Sequence, residues 1–297
     1  MKRIPYALVD VFAPAPGAGN RVAVVLDARG MSPEEMQAVA QSLGAAEAAF
    51  LLERTGAALS VRFFAPGGEV EFSGHAAVAV GLTAARTGLV PEGTTRLYLH
   101  TPTEVLPVEL VLEAGEPRKA WVRGPAPRFR DLPPSRALRE VLEALGSDER
   151  YLHRGLPYGV AFTGLWSLFV PLIAPGVVDA LEPEMERLKA LCFRLDVATV
   201  HAYAPMGPRS FYARDFAPLL GIPEDPVTGS ANAALGALLA RAGVVPRREG
   251  KVLLTVYQGH HLGNPGVVEV QVEYSPTGEP YSVQIGGEAV IVQTGEV

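Results

Sequence analysis

Two residues with chemically active side chains stand out in the first half of the chain. Glu47 is an isolated carboxylate in the apolar segment LGAAEAAFLL, and His75 lies in SGHAA, where a helix is expected to start. An apolar environment can raise the pKa of a carboxyl group toward the working range, so that it shuttles protons at carbon. A neutral imidazole can donate to a substrate or act as an acid. Each residue also has an ordinary interpretation, an exposed charge at a strand end for Glu47 and a structural histidine for His75.

The second half carries its own candidate in the segment EDPVTGS, which contains Asp225 and is followed by Ala231. Asp225 could hold a polar group of a substrate. It could equally be a turn or N-cap aspartate, with Thr228 or Ser230 capping the helix that follows. Further carboxylates lie in or near the two candidate loops: Glu69, Glu71 and Glu224.

Other kinds of site have weaker support. The adjacent pair His260 and His261 could suggest a metal, but neighbouring residues on a strand point to opposite faces and no carboxylate cluster accompanies them. Neither GxGxxG nor GxxxxGK[ST] is present, which argues against a nucleotide site. A serine hydrolase would rest on Ser230 alone, because GxSxG is absent. The single cysteine, Cys192, excludes an intrachain disulfide and any mechanism that needs two thiols.

The candidate residues lie in a segment that occurs twice. FAPGGEVEFSGHAAVAVGLTAARTGLV begins at Phe64, and FAPLLGIPEDPVTGSANAALGALLARAGVV begins at Phe216. Gly74 and Gly229 are 155 residues apart (229 minus 74), whereas Phe64 and Phe216 are 152 apart (216 minus 64). A period near half the chain length predicts two similar domains.

Each copy predicts the same local structure. An acidic loop leads into a helix of small residues that starts at Gly74-His75 or at Gly229-Ser230 and ends where Gly88 or Gly243 can adopt a left-handed conformation. If the two domains face each other about a pseudo-twofold axis, the two helix starts meet across a cleft. Their unpaired N–H groups then suit a carboxylate or another anion.

Length and composition agree with a soluble globular protein of two domains. The 297 residues are enough for two cores, and 48% hydrophobic and 20% charged residues are typical of globular proteins. The net charge of −6 and the lack of a basic run give no basis for nucleic-acid binding. The N-terminal apolar stretch is short and contains Asp10, and prolines interrupt the uncharged run 159–178, so we expect no membrane segment and a cytoplasmic location.

Periodicity and breakers predict the elements between these points. Ser32, Pro33 and Glu35 form a capping-box pattern for a helix that ends near Leu43. A longer helical stretch is predicted over 177–191, a buried strand over 166–173, and a structureless linker over 124–134. Hairpin signals predict sheets rich in antiparallel pairs. The predicted domains are 1–124 with 285–297, and 125–284.

Several segments resemble one known family. They are VDVF at 9–12, GN at 19–20 followed by AVVL, Glu47 before AAF, FAP to GH ending at His75, EDPVTGSA at 224–231, and IGGEAVIV at 285–292. In this order, over essentially the whole chain, they are similar to the phenazine biosynthesis PhzF-like isomerases.

The resemblance implies a mixed α/β (α+β) fold of two pseudo-symmetric diaminopimelate epimerase-like domains, each a curled mixed sheet around a central helix, with the active site between them. It also implies a homodimer that isomerises without a cofactor or metal, and trans-2,3-dihydro-3-hydroxyanthranilate as a substrate of members like the phenazine enzyme. Glu47 matches the family's general acid/base. His75, Asp225 and Ser230 match its assisting and substrate-binding positions, beside Gly74 and Gly229.

Four positions depart from the family's usual wording. Arg21 replaces the proline of GNP, Ala46 replaces a hydroxyl residue before Glu47, Val78 replaces the threonine of GHxT, and Asn264 replaces the arginine of GRP. We therefore expect a small carboxylate substrate that need not be the phenazine intermediate. The alternative is a small-molecule or partner-binding protein that kept the fold and lost the reaction.

Overall fold

The computed structural model describes residues 3–297 and divides into two compact units. Unit 1 contains the residues up to Arg123 together with Gly286–Val297, and unit 2 is Gly124–Ile285. The last strand, Pro280–Glu296, begins in unit 2 and ends in unit 1.

Unit 1 is a mixed sheet with two helices. Its strands are β1 (Pro5–Val11), β2 (Asn20–Val25), β3 (Glu47–Thr55), β4 (Ala58–Ala65), β5 (Gly68–Val70), β6 (Arg96–His100), β7 (Val105–Glu113) and β8 (Glu116–Arg123). Its helices are α1 (Pro33–Leu43) and α2 (Gly74–Arg86). Most neighbouring strands are antiparallel, but β2 runs parallel to β3 and β4 runs parallel to β6.

Unit 2 repeats this plan. Its strands are β9 (Arg128–Arg130), β10 (Gly159–Phe162), β11 (Trp166–Pro171), β12 (Thr199–Gly207), β13 (Ser210–Ala217), β14 (Ile222–Asp225), β15 (Arg247–Arg248), β16 (Lys251–Gln258), β17 (Gly266–Tyr274) and the start of β18 (Pro280–Glu296). Its helices are α3 (Ser135–Ala144), α4 (Pro175–Asp179), α5 (Met185–Leu195) and α6 (Gly229–Arg241). The parallel pairs are again two, β11 with β12 and β13 with β16.

The helix α1 starts and ends as its sequence predicts. The Ser32 hydroxyl accepts a hydrogen bond from the Glu35 amide at 3.2 Å, and the Glu35 carboxylate accepts one from the Ser32 amide at 2.8 Å. This reciprocal pairing satisfies two N–H groups that the first helical turn leaves open. At the other end Gly44 has a φ of 63°, which suits glycine because it has no Cβ to clash.

The helices α2 and α6 are the buried centres of their units. Every residue of α2 from Ala76 to Ala84 is buried, and every residue of α6 from Ala231 to Ala240 is buried. The helix α2 contacts β1, β2, β3, β7 and β8, and α6 contacts β10, β11, β16 and β17. A helix that is apolar on all sides needs such enclosure, and the predicted curled sheet around a central helix is confirmed.

Two of the predicted elements differ in the structure. The helical stretch predicted over 177–191 is two helices, α4 and α5, because Pro183 lies between them and cannot continue a helix. The predicted linker 124–134 contains β9, which pairs with β10 in antiparallel register. The guanidinium of Arg128 lies 3.9 Å from the ring centre of Phe162, and that of Arg130 lies 3.8 Å from Trp166, so stacking on aromatic rings accompanies this strand.

Candidate active site

Glu47 is the first residue of β3 and is in register with Val22 on the parallel strand β2. The next three residues, Ala48 to Phe50, are buried, and the Glu47 side chain itself is 20% exposed. One carboxylate oxygen, Oε2, is buried and has no hydrogen-bond partner among residues 3–297. This oxygen keeps its full capacity to accept a hydrogen bond.

His75 is the second residue of α2 and lies beside this carboxylate. Its Nε2 is 3.7 Å from Glu47 Oε2, and its Nδ1 is 3.4 Å from the Ser73 hydroxyl. Ser73 caps the helix by accepting from the Ala76 amide at 3.2 Å, which places His75 in the first turn. The 3.7 Å separation is too long for a hydrogen bond, and His75 Nε2 is also buried without a partner in the described part of the chain.

The other acidic candidates are not arranged for chemistry. Glu69 forms a two-point ion pair with Arg62 at 2.6 and 2.5 Å, and Glu224 forms the equivalent pair with Arg214 at 2.9 and 2.8 Å. Such bidentate pairs engage both oxygens of the carboxylate. Glu71 is exposed. Among the acidic residues, Glu47 and Asp225 remain as candidates for proton transfer or substrate contact.

Asp225 ends β14 in unit 2 and is partly buried. The Thr228 hydroxyl donates to its Oδ2 at 2.7 Å, and its backbone oxygen accepts from Gln258 Nε2 at 2.9 Å. Asp225 is therefore held at both its carboxylate and its backbone.

The helix α6 starts at Gly229, as its sequence predicts. Thr228, one of the two residues considered as its cap, is the N-cap residue, but its side chain makes no capping hydrogen bond. Instead Gln258 Oε1 accepts from the Thr228 amide at 3.1 Å and from Asn232 Nδ2 at 2.7 Å. The Thr228 hydroxyl contacts the carboxylates of Asp215 and Asp225.

The predicted binding residues lie at the helix starts. Gly74 is the first residue of α2, and Gly229 and Ser230 are the first two residues of α6. Both glycines are buried, and Ser230 is partly exposed with its backbone oxygen accepting from the Thr163 hydroxyl at 2.7 Å. The first N–H groups of a helix have no partner within it and suit a negatively charged group.

The sequence did not lead us to two buried polar residues next to Asp225. Asp215 and His201 are both fully buried, and Asp215 Oδ1 lies 3.0 Å from His201 Nδ1. A signal for them exists in the repeat. At an offset of 152 residues the first half has Phe63 where the second has Asp215 (215 minus 63) and Ala49 where it has His201.

The four residues that depart from the family's usual sequence have different environments. Arg21 pairs with Asp10 at 2.8 Å, and because Arg21 precedes Val22 on β2, its side chain is on the face opposite to Glu47. Val78 is buried within α2, whereas Ala46 and Asn264 are exposed.

Sites of other kinds are not supported in the described residues. No group of three or more His, Cys, Asp or Glu side chains there is arranged to hold a metal ion. His260 packs against the rings of Tyr212 and Tyr257, at 5.5 and 6.4 Å between ring centres. None of the helices of residues 3–297 combines the length and the apolar character that crossing a membrane requires.

Comparison with known proteins gives a consistent result. The model of the family described as phenazine biosynthesis-like protein (PhzC-PhzF) matches residues 9–295. A Deinococcus radiodurans protein named as an uncharacterized isomerase is 46% identical over 292 residues, covering 98% of this chain and 93% of that protein. A Pseudomonas fluorescens protein named trans-2,3-dihydro-3-hydroxyanthranilate isomerase is 31% identical over 294 residues, covering 98% of each.

Solved structures agree with these relatives. A Bacillus anthracis protein of the PhzF family has a TM-score of 0.89 at 30% identity, with 100% of this chain and 99% of that chain covered. A probable proline racemase from Agrobacterium radiobacter, at 16% identity and a TM-score of 0.65 over 99% and 92% of the two chains, shares the fold alone. The predicted fold class is confirmed, and the chain belongs to the phenazine biosynthesis-like (PhzC-PhzF) family of isomerases.

Proposed function

We propose that this protein is a cofactor-independent isomerase that moves a proton between carbon atoms of a small substrate bearing a carboxylate. The observation that carries the proposal is the pair Glu47 and His75. Two buried polar atoms lie 3.7 Å apart, and neither has a hydrogen-bond partner among residues 3–297. A buried polar atom without a hydrogen bond is unfavourable unless a bound molecule supplies the missing partner.

In the proposed reaction Glu47 takes a proton from one carbon of the substrate and returns it to another. His75 and Asp225 hold the polar groups of the substrate and tune that transfer. The N–H groups at Gly74, Gly229 and Ser230 bind the carboxylate.

The first substrate to test is trans-2,3-dihydro-3-hydroxyanthranilate. Its support is the Pseudomonas fluorescens relative that carries this activity in its name and is 31% identical over 98% of each chain. Arg21 does not argue against this substrate, since its guanidinium is engaged by Asp10.

The test is proton NMR of this compound incubated with the protein in D₂O, beside the variants Glu47→Gln and Glu71→Gln. We expect substrate loss with deuterium entering the ring, a rate lower by about 10²-fold or more in Glu47→Gln, and an unchanged rate in the exposed control Glu71→Gln. Binding by calorimetry should persist in Glu47→Gln. Full activity in that variant would reject Glu47 as the base, and no turnover by the unmodified protein would reject this substrate.

We also propose that the protein is a cytoplasmic homodimer, as its family resemblance implies. Light scattering after size exclusion should then give about twice the chain mass of 31.5 kDa, and the protein should stay in the soluble fraction of its cells. A mass of one chain would overturn the dimer, and recovery with membranes would overturn the location.

A further inference from the structure

A row of three polar residues crosses three neighbouring strands of unit 2. His201 on β12 is in register with Asp215 on β13, and Asp215 is in register with Asp225 on β14. Residues in register on adjacent strands share one face of the sheet. Asp225 is partly exposed at one end of the row, and the other two are fully buried.

The row is connected by hydrogen bonds. His201 Nδ1 lies 3.0 Å from Asp215 Oδ1, the Thr228 hydroxyl lies 3.1 Å from Asp215 Oδ2, and the same hydroxyl lies 2.7 Å from Asp225 Oδ2. The Thr228 hydroxyl is thus shared between two carboxyl groups. It is the bridge between the exposed end of the row and its interior.

Unit 1 shows that the fold does not need this row. Its equivalent strands β3, β4 and β5 place Ala49, Phe63 and Val70 in the same register. At the equivalent N-cap Ser73 bonds the Ala76 amide, whereas Thr228 makes no such cap. Burying a carboxylate and an imidazole where apolar side chains can pack is unfavourable. The polar row is therefore an addition specific to the half that carries Asp225.

The Thr228 hydroxyl has fewer hydrogens than it has carboxyl neighbours. A hydroxyl has one hydrogen to donate and two lone pairs that accept. Thr228 Oγ1 accepts from Gln258 Nε2 at 3.1 Å, which leaves one donor and one acceptor for the two carboxyl groups. Two separate hydrogen bonds form when one carboxyl donates to Thr228 and the other accepts from it; otherwise the two carboxyl groups share the single hydroxyl hydrogen.

We propose that Asp215, anchored by His201, is a positioning residue that controls the proton affinity of Asp225 through the Thr228 hydroxyl. The row has two arrangements. With the proton on Asp225, that carboxyl donates to Thr228 and Thr228 donates to Asp215. With the proton on Asp215, both directions reverse. When Asp225 gains a proton and Asp215 loses one, the Thr228 hydroxyl rotates to donate to Asp215. The only covalent bonds that form or break are O–H bonds.

The proposal rests on the proposed function in one respect, that Asp225 contacts the substrate. Two ionisable groups lie near the row among the described residues. Burial, and then the nearby Asp215 carboxylate, raise the pKa of the Cys192 thiol on α5. Arg214, the neighbour of Asp215 on β13, is engaged by Glu224 from β14. The helix α6 contributes Asn232 and the strand β16 contributes Gln258, both uncharged.

The proposal predicts the direction in which Asp215→Asn changes the pKa of Asp225. The amide oxygen can face His201 while the amide nitrogen donates to Thr228, so that the hydroxyl hydrogen is always directed to Asp225. A donor to the ionised carboxylate and the loss of a neighbouring negative charge both lower the pKa of Asp225. We expect a fall of about 1 pH unit or more.

The measurement is carbon-13 NMR of the Asp225 carboxyl group through a pH titration of the full chain, with its resonance assigned by its absence in Asp225→Asn. It needs no substrate, so its outcome is independent of the isomerase assay. Asp10→Asn is the matched control, because Asp10 is also buried but lies in unit 1 outside the row, and it should leave the midpoint unchanged.

If Asp215→Asn does not fold, two variants of Thr228 test the same proposal. Thr228→Val removes the hydroxyl at nearly constant volume and should raise the Asp225 midpoint, because the ionised form loses its donor. Thr228→Ser keeps the hydroxyl and should restore the midpoint of the unmodified protein. A midpoint that does not move in Asp215→Asn, or that is the same in Thr228→Val and Thr228→Ser, overturns the proposal.

Discussion

The buried polar side chains of this protein differ in exposure and in hydrogen bonding. Glu47 and His75 each keep one buried polar atom without a hydrogen-bond partner in residues 3–297, and both side chains retain some exposure, 20% and 13%. Asp215 and His201 are fully buried but bonded to each other. His201 Nε2, like the two atoms of the first pair, has no hydrogen-bond partner in the described residues. The two pairs therefore differ in exposure and in the bond between their members, and Asp215 also contacts the Thr228 hydroxyl.

Cys192 provides a prediction at the scale of one residue. It is fully buried on α5, and burial, with the nearby Asp215 carboxylate, raises the pKa of its thiol to about 12. Only the thiolate reacts with alkylating agents. At about pH 8 the folded protein should therefore resist iodoacetamide, whereas the same protein in denaturant should be labelled fully. Mass spectrometry measures both, and rapid labelling of the folded protein would contradict the burial.

The two central helices, α2 and α6, share the same close packing and the same kind of C-terminal end. In α2 a Cβ on Gly81 would lie 2.7 Å from Val108 Cγ1, and in α6 a Cβ on Gly236 would lie 2.6 Å from Val270 Cγ1. Each helix packs a glycine directly against a valine of its own sheet. Both helices are followed by a glycine with positive φ, Gly88 at 70° and Gly243 at 68°. The repeated glycines therefore have a packing role and a termination role in each unit.

We predict that Gly81→Ala and Gly236→Ala each lower the free energy of unfolding by about 1–3 kcal/mol, because an added methyl group overpacks the contact with valine. Gly176→Ala in α4 is the control. It has negative φ and no atom within 4 Å of an added Cβ, so it should be neutral or slightly stabilising. Urea unfolding measures all three, and equal effects at the three sites would show that the central helices are loosely packed.

At the scale of the whole molecule, equivalent interactions of the two units have different environments. The ion pair of Arg62 with Glu69 leaves 22% and 33% of the side chains exposed, whereas that of Arg214 with Glu224 leaves 3% and 9%. Arg214 also donates to the backbone oxygens of Val178, Asp179 and Leu181, at the end of α4. The same pair is thus a surface contact in unit 1 and a buried support in unit 2.

This difference predicts unequal costs for the same substitution. Glu224→Gln leaves a buried guanidinium without its counter-charge and should lower the free energy of unfolding by about 3–5 kcal/mol. Glu69→Gln should cost about 1 kcal/mol or less, because water screens the partly exposed pair. Thermal and urea unfolding of the two variants provide the comparison. A larger loss in Glu69→Gln would contradict the burial difference.

The sequence alone determined the features that depend on near neighbours or on the repeat. The capping box predicted α1 from Pro33, and the small-residue segments predicted α2 and α6 with their terminal glycines. These features follow from contacts within a few residues, where helix caps and left-handed glycines are decided. The family segments, read in order along the chain, predicted the fold class that the related structures confirm.

The tertiary structure decided which candidate side chains meet. Glu47 approaches His75 because the start of β3 and the first turn of α2 come together, and Glu69 and Glu224 are removed from the candidates by arginines on neighbouring strands. Thr228 is the N-cap residue of α6, but its hydroxyl contacts two carboxyl groups, and its amide donates to Gln258 from β16. Strand register and packing set these contacts between distant residues, and neither is visible in local periodicity.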